Sequence, residues 1–166
     1  MPGDAFDETG RLLIPLRSSG EKRVSEDVVV NAAYCPNGHN LISLHHEVAG
    51  QPGIVLRFWG KRSGEGLLAL SARLGDSSYE LIEGQVDPEE VLQFKCPICG
   101  TDLDTLSDCP CTTFATRVMA YLYPRRDPYH AIAFCTVLSC PNSAVIRSGE
   151  VIRSESDRQT PWEEPS

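Results

Sequence analysis

The chain has 166 residues and a formal net charge of −8; 41% of its residues are hydrophobic and 7% are aromatic. This length suits one domain or two small ones, and the negative charge disfavours wholesale binding to a polyanion such as nucleic acid. The acidic N-terminus lacks the apolar segment of a secretory signal, and no run approaches the roughly 18 apolar residues of a membrane helix, so we expect a cytoplasmic protein without membrane contact.

Composition divides the chain into four predicted parts. Residues 1–25 mix glycine, proline, serine and charged residues, which is typical of an N-terminal arm, and residues 148–166 form an acidic tail. Between them we expect a β domain over residues 26–106 and a smaller hairpin module over residues 107–147. Each of these two parts is expected to carry one of the metal sites derived below.

Most of the sequence between the arm and the tail predicts short strands. Apolar and β-branched runs bounded by glycine and proline turns predict strands at residues 28–34, 41–48, 54–59, 79–83, 91–94, 114–123, 129–134 and 144–147. Residues 51–53 (Gln-Pro-Gly) predict a turn, and residues 67–74 are ambiguous between helix and strand. An early proline and two carboxylates at residues 87–90 indicate a turn or a single helical turn.

Four short pairs of potential metal ligands use all seven cysteines and one of the four histidines. These pairs are Cys35-x3-His39, Cys96-x2-Cys99, Cys109-x-Cys111 and Cys135-x4-Cys140. Zinc takes thiolate and imidazole ligands, and a closed site with four protein ligands is structural. Disulfides are disfavoured because seven is an odd number, because cytoplasmic thiols stay reduced, and because the third pair is too closely spaced to bridge comfortably.

Two of these pairs sit in similar local sequences. Residues 33–41 read Ala-Tyr-Cys-Pro-Asn-Gly-His-Asn-Leu, and residues 94–103 read Phe-Lys-Cys-Pro-Ile-Cys-Gly-Thr-Asp-Leu. Proline fixes φ as the chain turns back, and Gly38 or Gly100 can adopt a positive φ. The Cys-Pro-x-Cys-Gly motif resembles the knuckle of zinc-ribbon and rubredoxin-like modules. This resemblance covers short motifs only, and it implies a zinc scaffold without implying a particular activity.

Four pairs can be divided between two sites in three ways. We expect consecutive pairing, with site 1 formed by Cys35, His39, Cys96 and Cys99 and site 2 formed by Cys109, Cys111, Cys135 and Cys140. The alternative unites the second and third pairs around a short loop. Two further alternatives are that the third pair contributes only one ligand and that Cys135 is a buried apolar residue rather than a ligand. A site lacking one ligand would keep the open position that catalytic zinc needs.

Two zinc ions are the expected cofactors. Iron is the main competitor, because an all-thiolate site can also hold a single iron or a cluster. The imidazole of His39 favours zinc at site 1. Three thiolates with a histidine leave a zinc site at −1, and four thiolates leave it at −2, so the metallated protein would carry about −11.

Catalytic motifs are not recognisable elsewhere in the sequence. No glycine-rich phosphate loop, nucleophile elbow or HExxH motif occurs. His45 and His46 fall on a predicted strand and point to opposite faces, where hydrogen-bonded or exposed side chains are typical; His130 could join them in space. Two carboxylate pairs, Glu89 with Glu90 and Asp102 with Asp104, are interpreted as solvated turn charges.

The strongest basic and aromatic cluster is the run Arg-Phe-Trp-Gly-Lys-Arg at residues 57–62, which Arg125 and Arg126 could extend. Such a cluster can stack bases and meet phosphates, but it suits a protein interface equally well. The more ordinary interpretation is a strand with Phe58 or Trp59 facing the core, followed by a solvated turn. The lone Trp162 of the tail is a further candidate contact with a partner.

The sequence therefore predicts a mainly β protein: an antiparallel meander with hairpins, built around two zinc-ribbon-like metal sites, with few short helices. The expected function is a zinc-structured binding protein, an accessory or adaptor subunit of a larger enzyme complex, with both metals structural and a protein partner. No catalytic site of its own is expected. The alternatives are a metalloenzyme or enzyme subunit with one open zinc site, an iron electron carrier, and a nucleic-acid-binding zinc ribbon.

Overall fold

The structure is a computed structural model that describes residues 21–24, 28–141, 143–148 and 150–154. These residues form eleven strands: β1 Glu21–Val24, β2 Ile42–Val48, β3 Gln51–Gly60, β4 Gly64–Leu70, β5 Tyr79–Glu83, β6 Gln93–Lys95, β7 Asp104–Asp108, β8 Thr116–Tyr121, β9 His130–Cys135, β10 Ser143–Arg147 and β11 Glu150–Ser154. The predicted mainly β, antiparallel class is confirmed. The few short helices are absent from the described residues, and so is any helix capable of spanning a membrane.

The strands form two sheets. The first sheet has five strands in the order β2-β3-β4-β5, with β6 also pairing to β3; all of its pairs are antiparallel. The second sheet has six strands in the order β1-β11-β10-β9-β8-β7. Only its β1–β11 pair is parallel among the described strands. The chain passes from the first sheet to the second between β6 and β7.

The main core lies between the two sheets. Alternate residues of β3 point inward, so that Leu56 and Phe58 are no more than 1% exposed. Val118 of β8 and Ile132 of β9 belong to the same apolar cluster. Phe94 of β6 packs edge-on against a β9 aromatic ring with centroids 6.0 Å apart, which joins the two sheets directly.

Some predicted elements differ from those in the structure. Residues 28–34 form isolated bridges, through Val29 and Tyr34, rather than a regular strand. The predicted turn at residues 51–53 is wrong, because β3 already begins at Gln51 and the chain turns at Ala49 and Gly50, with φ of 55° and 82°. The ambiguous run at residues 67–74 contributes strand β4.

Strands also occur within the predicted arm and tail. β1 falls in the arm and β11 in the tail, and the two pair in parallel along one edge of the six-stranded sheet. Residues 1–20 and 155–166, including Trp162, lie outside the described residues. The division of the chain into four parts remains a prediction.

A buried carboxylate holds the β7–β8 pair to the tip of the β8–β9 hairpin. Asp104 is 2% exposed and accepts hydrogen bonds from the Tyr121 hydroxyl and from Nε and Nη2 of Arg126, at 2.8 and 2.7 Å for the two nitrogens. Burial, and then the Asp104 charge, raise the pKa of Tyr121, so its hydroxyl remains a donor. Solvated turn charge is therefore the wrong interpretation for Asp104, although Asp102 is exposed.

Glu90 is also buried rather than solvated, with 7% exposure. Its carboxylate accepts the backbone N–H of Arg62 at 2.6 Å, and the N–H and hydroxyl of Ser63 at 2.9 and 2.7 Å. The Arg62 N–H, above all, holds the pKa of Glu90 below its usual value. Arg62 itself pairs with Asp87 at 2.6 Å. These hydrogen bonds order the β3–β4 turn, a part of the chain that contains neither a helix nor a metal ligand.

We expect Asp104→Asn to lower the free energy of unfolding by about 2 kcal/mol, because an amide cannot accept from both Arg126 nitrogens and the tyrosine. This value allows for the partial exposure of Arg126, whose side chain is 37% exposed. Asp102→Asn is the matched control: it is exposed and accepts only from Gln93 Nε2, so its effect should stay within about 0.5 kcal/mol. Urea unfolding of both variants measures the difference, and equal midpoints would contradict the assignment.

Candidate metal centres

The first knuckle turns the chain back between Tyr34 and Leu41. The Cys35 N–H donates to the His39 carbonyl at 3.0 Å, and the Gly38 N–H donates to the Cys35 carbonyl at 2.9 Å. Gly38 has φ of +87°, which few L side chains adopt, and a Cβ there would lie 3.3 Å from the Pro124 carbonyl oxygen. This glycine therefore permits both the turn and the close approach of the β8–β9 hairpin tip.

The second knuckle repeats this pattern after β6. The Cys96 N–H donates to the Thr101 carbonyl at 2.9 Å, and the Gly100 N–H donates to the Cys96 carbonyl at 2.9 Å, with φ of +74° at Gly100. In each knuckle the amide two residues after the first cysteine, that of Asn37 or Ile98, points at the cysteine sulfur at 3.3 Å. The sequence similarity of the two segments thus corresponds to a shared backbone geometry.

The two knuckles bring four ligand atoms together in cluster 1, made of Cys35, His39, Cys96 and Cys99, and these atoms all lie within 4.8 Å of one another. The Cys35 and Cys99 sulfurs are 3.8 Å apart, and His39 Nδ1 lies 3.4 Å from Cys35 Sγ and 4.0 Å from Cys96 Sγ. A tetrahedral ion with bonds of about 2.3 Å to sulfur requires edges of about 3.8 Å. A disulfide requires about 2.05 Å. The spacing therefore fits a shared ion, and all the cysteines are free thiols.

Cluster 1 connects the two sheets. Tyr34 exchanges two backbone hydrogen bonds with Tyr121 at the end of β8, at 2.8 and 2.9 Å, whereas the second knuckle continues directly from β6. Asn37 links the knuckles themselves, since its amide nitrogen donates to Thr101 Oγ1 at 2.9 Å and to Cys99 Sγ at 3.5 Å. Cluster 1 thus fixes the relative position of the five-stranded and six-stranded sheets.

The pKa values of two cluster 1 thiols differ, because hydrogen bonds dominate at Cys99 and burial dominates at Cys96. Partial burial opposes ionisation of Cys99, but the hydroxyl and backbone N–H of Thr101, followed by Asn37 and His39, lower its pKa to about 5. Burial raises the pKa of Cys96 to about 11. A bound cation would stabilise both thiolates, because metal binding displaces the remaining protons.

Cluster 2 gathers the remaining four cysteines within the same 4.8 Å limit: Cys109, Cys111, Cys135 and Cys140. Cys109 directly follows β7 and Cys135 ends β9, whereas Cys111 and Cys140 lie in the loops that follow. The Cys111 and Cys135 sulfurs are 3.5 Å apart, and the Val137 N–H points at Cys135 Sγ at 3.4 Å. This four-thiol arrangement ties the β7–β8 loop to the β9–β10 loop.

The cluster 2 thiols share protons. Hydrogen bonds from the Cys135 and Cys140 thiols lower the pKa of Cys109 far below its usual value, and the pKa of Cys135 rises correspondingly because it donates to Cys109. Four thiols that compete for protons in this way can each lose a proton to a bound cation, and thiolates suit a soft or borderline cation.

The structure thus brings together the two consecutive sets of ligands predicted from the sequence, and the second and third pairs do not share a cluster. Cys135 is 5% exposed and belongs to a small apolar cluster, so it is both a buried residue and a member of cluster 2. The two clusters lie at opposite ends of the β8–β9 hairpin: Tyr121 of β8 adjoins the first knuckle, whereas Thr116 bonds to the chain beside Cys135.

The other candidate residues do not form a catalytic group with these clusters. His46 Nδ1 lies 3.7 Å from a Glu80 carboxylate oxygen, His130 packs edge-on against Tyr123, and His45 is exposed. Sequence reasoning missed Asn37, whose amide reaches Cys99 Sγ from the other knuckle at 3.5 Å, and Thr101, whose hydroxyl lies 3.3 Å from the same sulfur within its own knuckle. The only sequence signal for their role was that each lies two positions after a predicted ligand.

No known protein family, curated protein or solved structure matches this chain. The donor sets themselves define the possible chemistry. Three thiolates with one imidazole suit zinc, and four thiolates suit zinc or iron.

The positive φ of the knuckle glycines predicts a specific effect on metal affinity. Gly38→Ala and Gly100→Ala should each cost about 1–2 kcal/mol in the turn conformation and weaken metal binding by roughly tenfold. Gly38→Ala should be the more damaging because of the nearby Pro124 carbonyl. Gly50→Ala is the control. Gly50 has a positive φ of 82°, as both knuckle glycines do, and open surroundings like those of Gly100, but it lies in the β2–β3 turn. Competition with a chromophoric zinc chelator measures all three affinities, and equal losses would contradict the prediction.

Proposed function

We propose that this chain is a zinc-structured binding protein that serves as an accessory subunit of a larger complex, with both metals structural. The observation that carries the proposal is the pair of four-ligand clusters, each with ligand atoms within 4.8 Å of one another. A site that supplies all four ligands from the protein leaves no position for substrate or water. Backbone amides directed at the sulfurs would further stabilise the bound thiolates.

The proposed structural role agrees with where the clusters lie. Cluster 1 connects the two sheets, and cluster 2 connects two loops at the other end of the β8–β9 hairpin. Zinc binding to small structural sites releases about 10–16 kcal/mol, a quantity comparable with the whole stability of a domain. Two ions at these positions would hold the sheets in one arrangement and so present a defined surface.

The accessory role is proposed because large apolar side chains are exposed on the protein surface. Among the described residues, several large apolar side chains are well exposed, including Trp59 at 50%, Ile98 at 64% and Phe114 at 87%. Phe114 also has φ of 70°, an unfavourable conformation for a bulky residue, on the loop that follows Cys111. Exposed aromatic residues on rigid supports are typical of protein interfaces. A cytoplasmic location and a hetero-complex belong to this proposal.

The proposal predicts two zinc ions per chain by elemental analysis of protein purified without added metal. His39→Ala and Cys135→Ser should each reduce the content by about one ion, because each removes one of four ligands. His45→Ala is the matched control for the histidine and should retain both ions, since His45 is exposed on β2. Iron in place of zinc, or wild-type protein that folds without metal, would refute structural zinc.

The accessory role is tested separately by isolating the chain at its native expression level under mild conditions. We expect it to elute in a complex larger than its 18.2 kDa mass, with one recurrent protein partner at fixed stoichiometry. Chelation should release the partner along with the metal. A chain that elutes alone and turns over a substrate would exclude the accessory role.

An open zinc site is the second candidate, and one observation favours it. A recess of about 310 Å³ borders cluster 2 at Cys111 and Cys140 and includes Glu89. If Cys111 left the metal, water could enter there and the carboxylate could act as a base. X-ray absorption spectroscopy of the His39→Ala variant, in which zinc remains only at cluster 2, discriminates the two: four sulfur neighbours support the structural role, and three with one oxygen support the open site.

A further inference from the structure

The outer surface of the five-stranded sheet displays an aromatic residue between charges of opposite sign. Alternation along β3 buries Phe58 and turns Arg57 and Trp59 outward, and Trp59 is 50% exposed. Directly paired residues of neighbouring strands share a face. One row across the sheet therefore reads Lys95, Arg57, Leu67, Glu83, and the next reads Gln93, Trp59, Glu65. We refer to these seven residues as the Trp59 face.

The two sides of the Trp59 face differ in charge. Arg57 and Lys95 are directly opposite each other on β3 and β6, and Asp102, which pairs with Lys95 at the outer edge and accepts from Gln93 Nε2, offsets part of their positive charge. Glu65 and Glu83 are exposed on β4 and β5, on the other side. Arg57 Nη1 lies 3.8 Å from Glu65 Oε2, but their side chains are 37% and 66% exposed, so this contact is weak.

A shallow groove follows the cationic side. Its volume is about 330 Å³, and it is lined by Arg57, Phe58, Trp59, Glu65, Gln93 and Lys95. Tryptophan and arginine dominate the energetics of protein interfaces. The carboxylates of Glu65 and Glu83 would repel the phosphates of a nucleic acid, and the chain's net charge of −8 adds to that repulsion. A ligand with both signs of charge would satisfy both sides.

We propose that the Trp59 face binds an extended segment of a protein partner with an acidic residue, an apolar residue and a basic residue at alternate positions. Four strands span about 14 Å across the sheet, which about five extended residues can cover. Alternate side chains of such a segment face the sheet. The acidic one lies over Lys95 and Arg57, the apolar one over Trp59 and Leu67, and the basic one over Glu83. This assignment rests on the proposed accessory function and specifies the partner's chemistry.

The Trp59 face depends on cluster 1. Lys95 immediately precedes the ligand Cys96, and β6 contains only three residues, held by pairing with β3 and by the buried Phe94. Metal at cluster 1 fixes the end of β6 and hence the position of Lys95 beside Arg57. Loss of that metal should therefore weaken recognition of the acidic position more than that of the apolar one.

The test is a selection from a randomised peptide library on the zinc-loaded full-length chain, followed by affinity measurements. We expect enrichment of the pattern acid-x-apolar-x-base. Trp59→Ala should weaken binding of the selected peptides by about thirtyfold or more, as expected of a hot-spot residue. Selection on Arg57→Glu combined with Lys95→Glu should replace the acidic residue by a basic one. Arg147→Gln, on an exposed position of the other sheet, is the control and should change nothing.

Each outcome decides the inference. Peptides without the charge pattern, a pattern unchanged by the double reversal, or no enrichment at all would overturn it. So would preferential binding of single-stranded RNA, or a stable dimer that covers Trp59 in sedimentation and fluorescence-quenching experiments. If the peptide selection fails but the chain still forms a zinc-dependent hetero-complex, the proposed function stands. Equal peptide binding by folded, metal-free protein would contradict structural zinc and the dependence of the Trp59 face on cluster 1, and would leave only the charge pattern of the peptide supported.

Discussion

The close approach of eight ligand atoms in two clusters is the constraint on which the rest of this structure depends. Sulfur atoms 3.5–3.8 Å apart are too distant for disulfides and too close to coexist as bare thiolates. In cluster 2 the neighbouring thiols compete for protons, so the pKa of Cys109 is lowered and that of Cys135 is raised. A cation resolves this conflict at each cluster, because it replaces the protons and attracts all the donors simultaneously.

The positions of the clusters explain how a chain with 7% aromatic residues can support two sheets. Within the described part of the chain, the inter-sheet core is made largely of aliphatic side chains and small residues, with one aromatic ring pair, Phe94 and Phe134. Cluster 1 fastens the sheets at one end of the β8–β9 hairpin, and cluster 2 fastens its loops at the other. The buried carboxylates of Asp104 and Glu90 order turns elsewhere in the two sheets, because each accepts several hydrogen bonds.

The same architecture separates the stable interior from the surface proposed for recognition. One strand, β3, contributes Phe58 to the core and Trp59 to solvent, so the support and the exposed aromatic residue are adjacent in the chain. A sheet made rigid by metal at cluster 1 would lose little conformational freedom on binding, which would favour the proposed recognition through a small number of side chains.

The sequence by itself determined the β class and the local chemistry of each knuckle, because turn formation and ligand spacing involve only a few neighbouring residues. Proline after the cysteine and glycine near the second ligand were sufficient to predict two similar turns. The tertiary structure selected the meeting of Cys35 with Cys99 from the three divisions that the sequence allowed, and it alone decided the burial of Asp104 beside Arg126 and the parallel pairing of β1 with β11. These outcomes follow from the packing of whole sheets, whose geometry local sequence patterns do not contain.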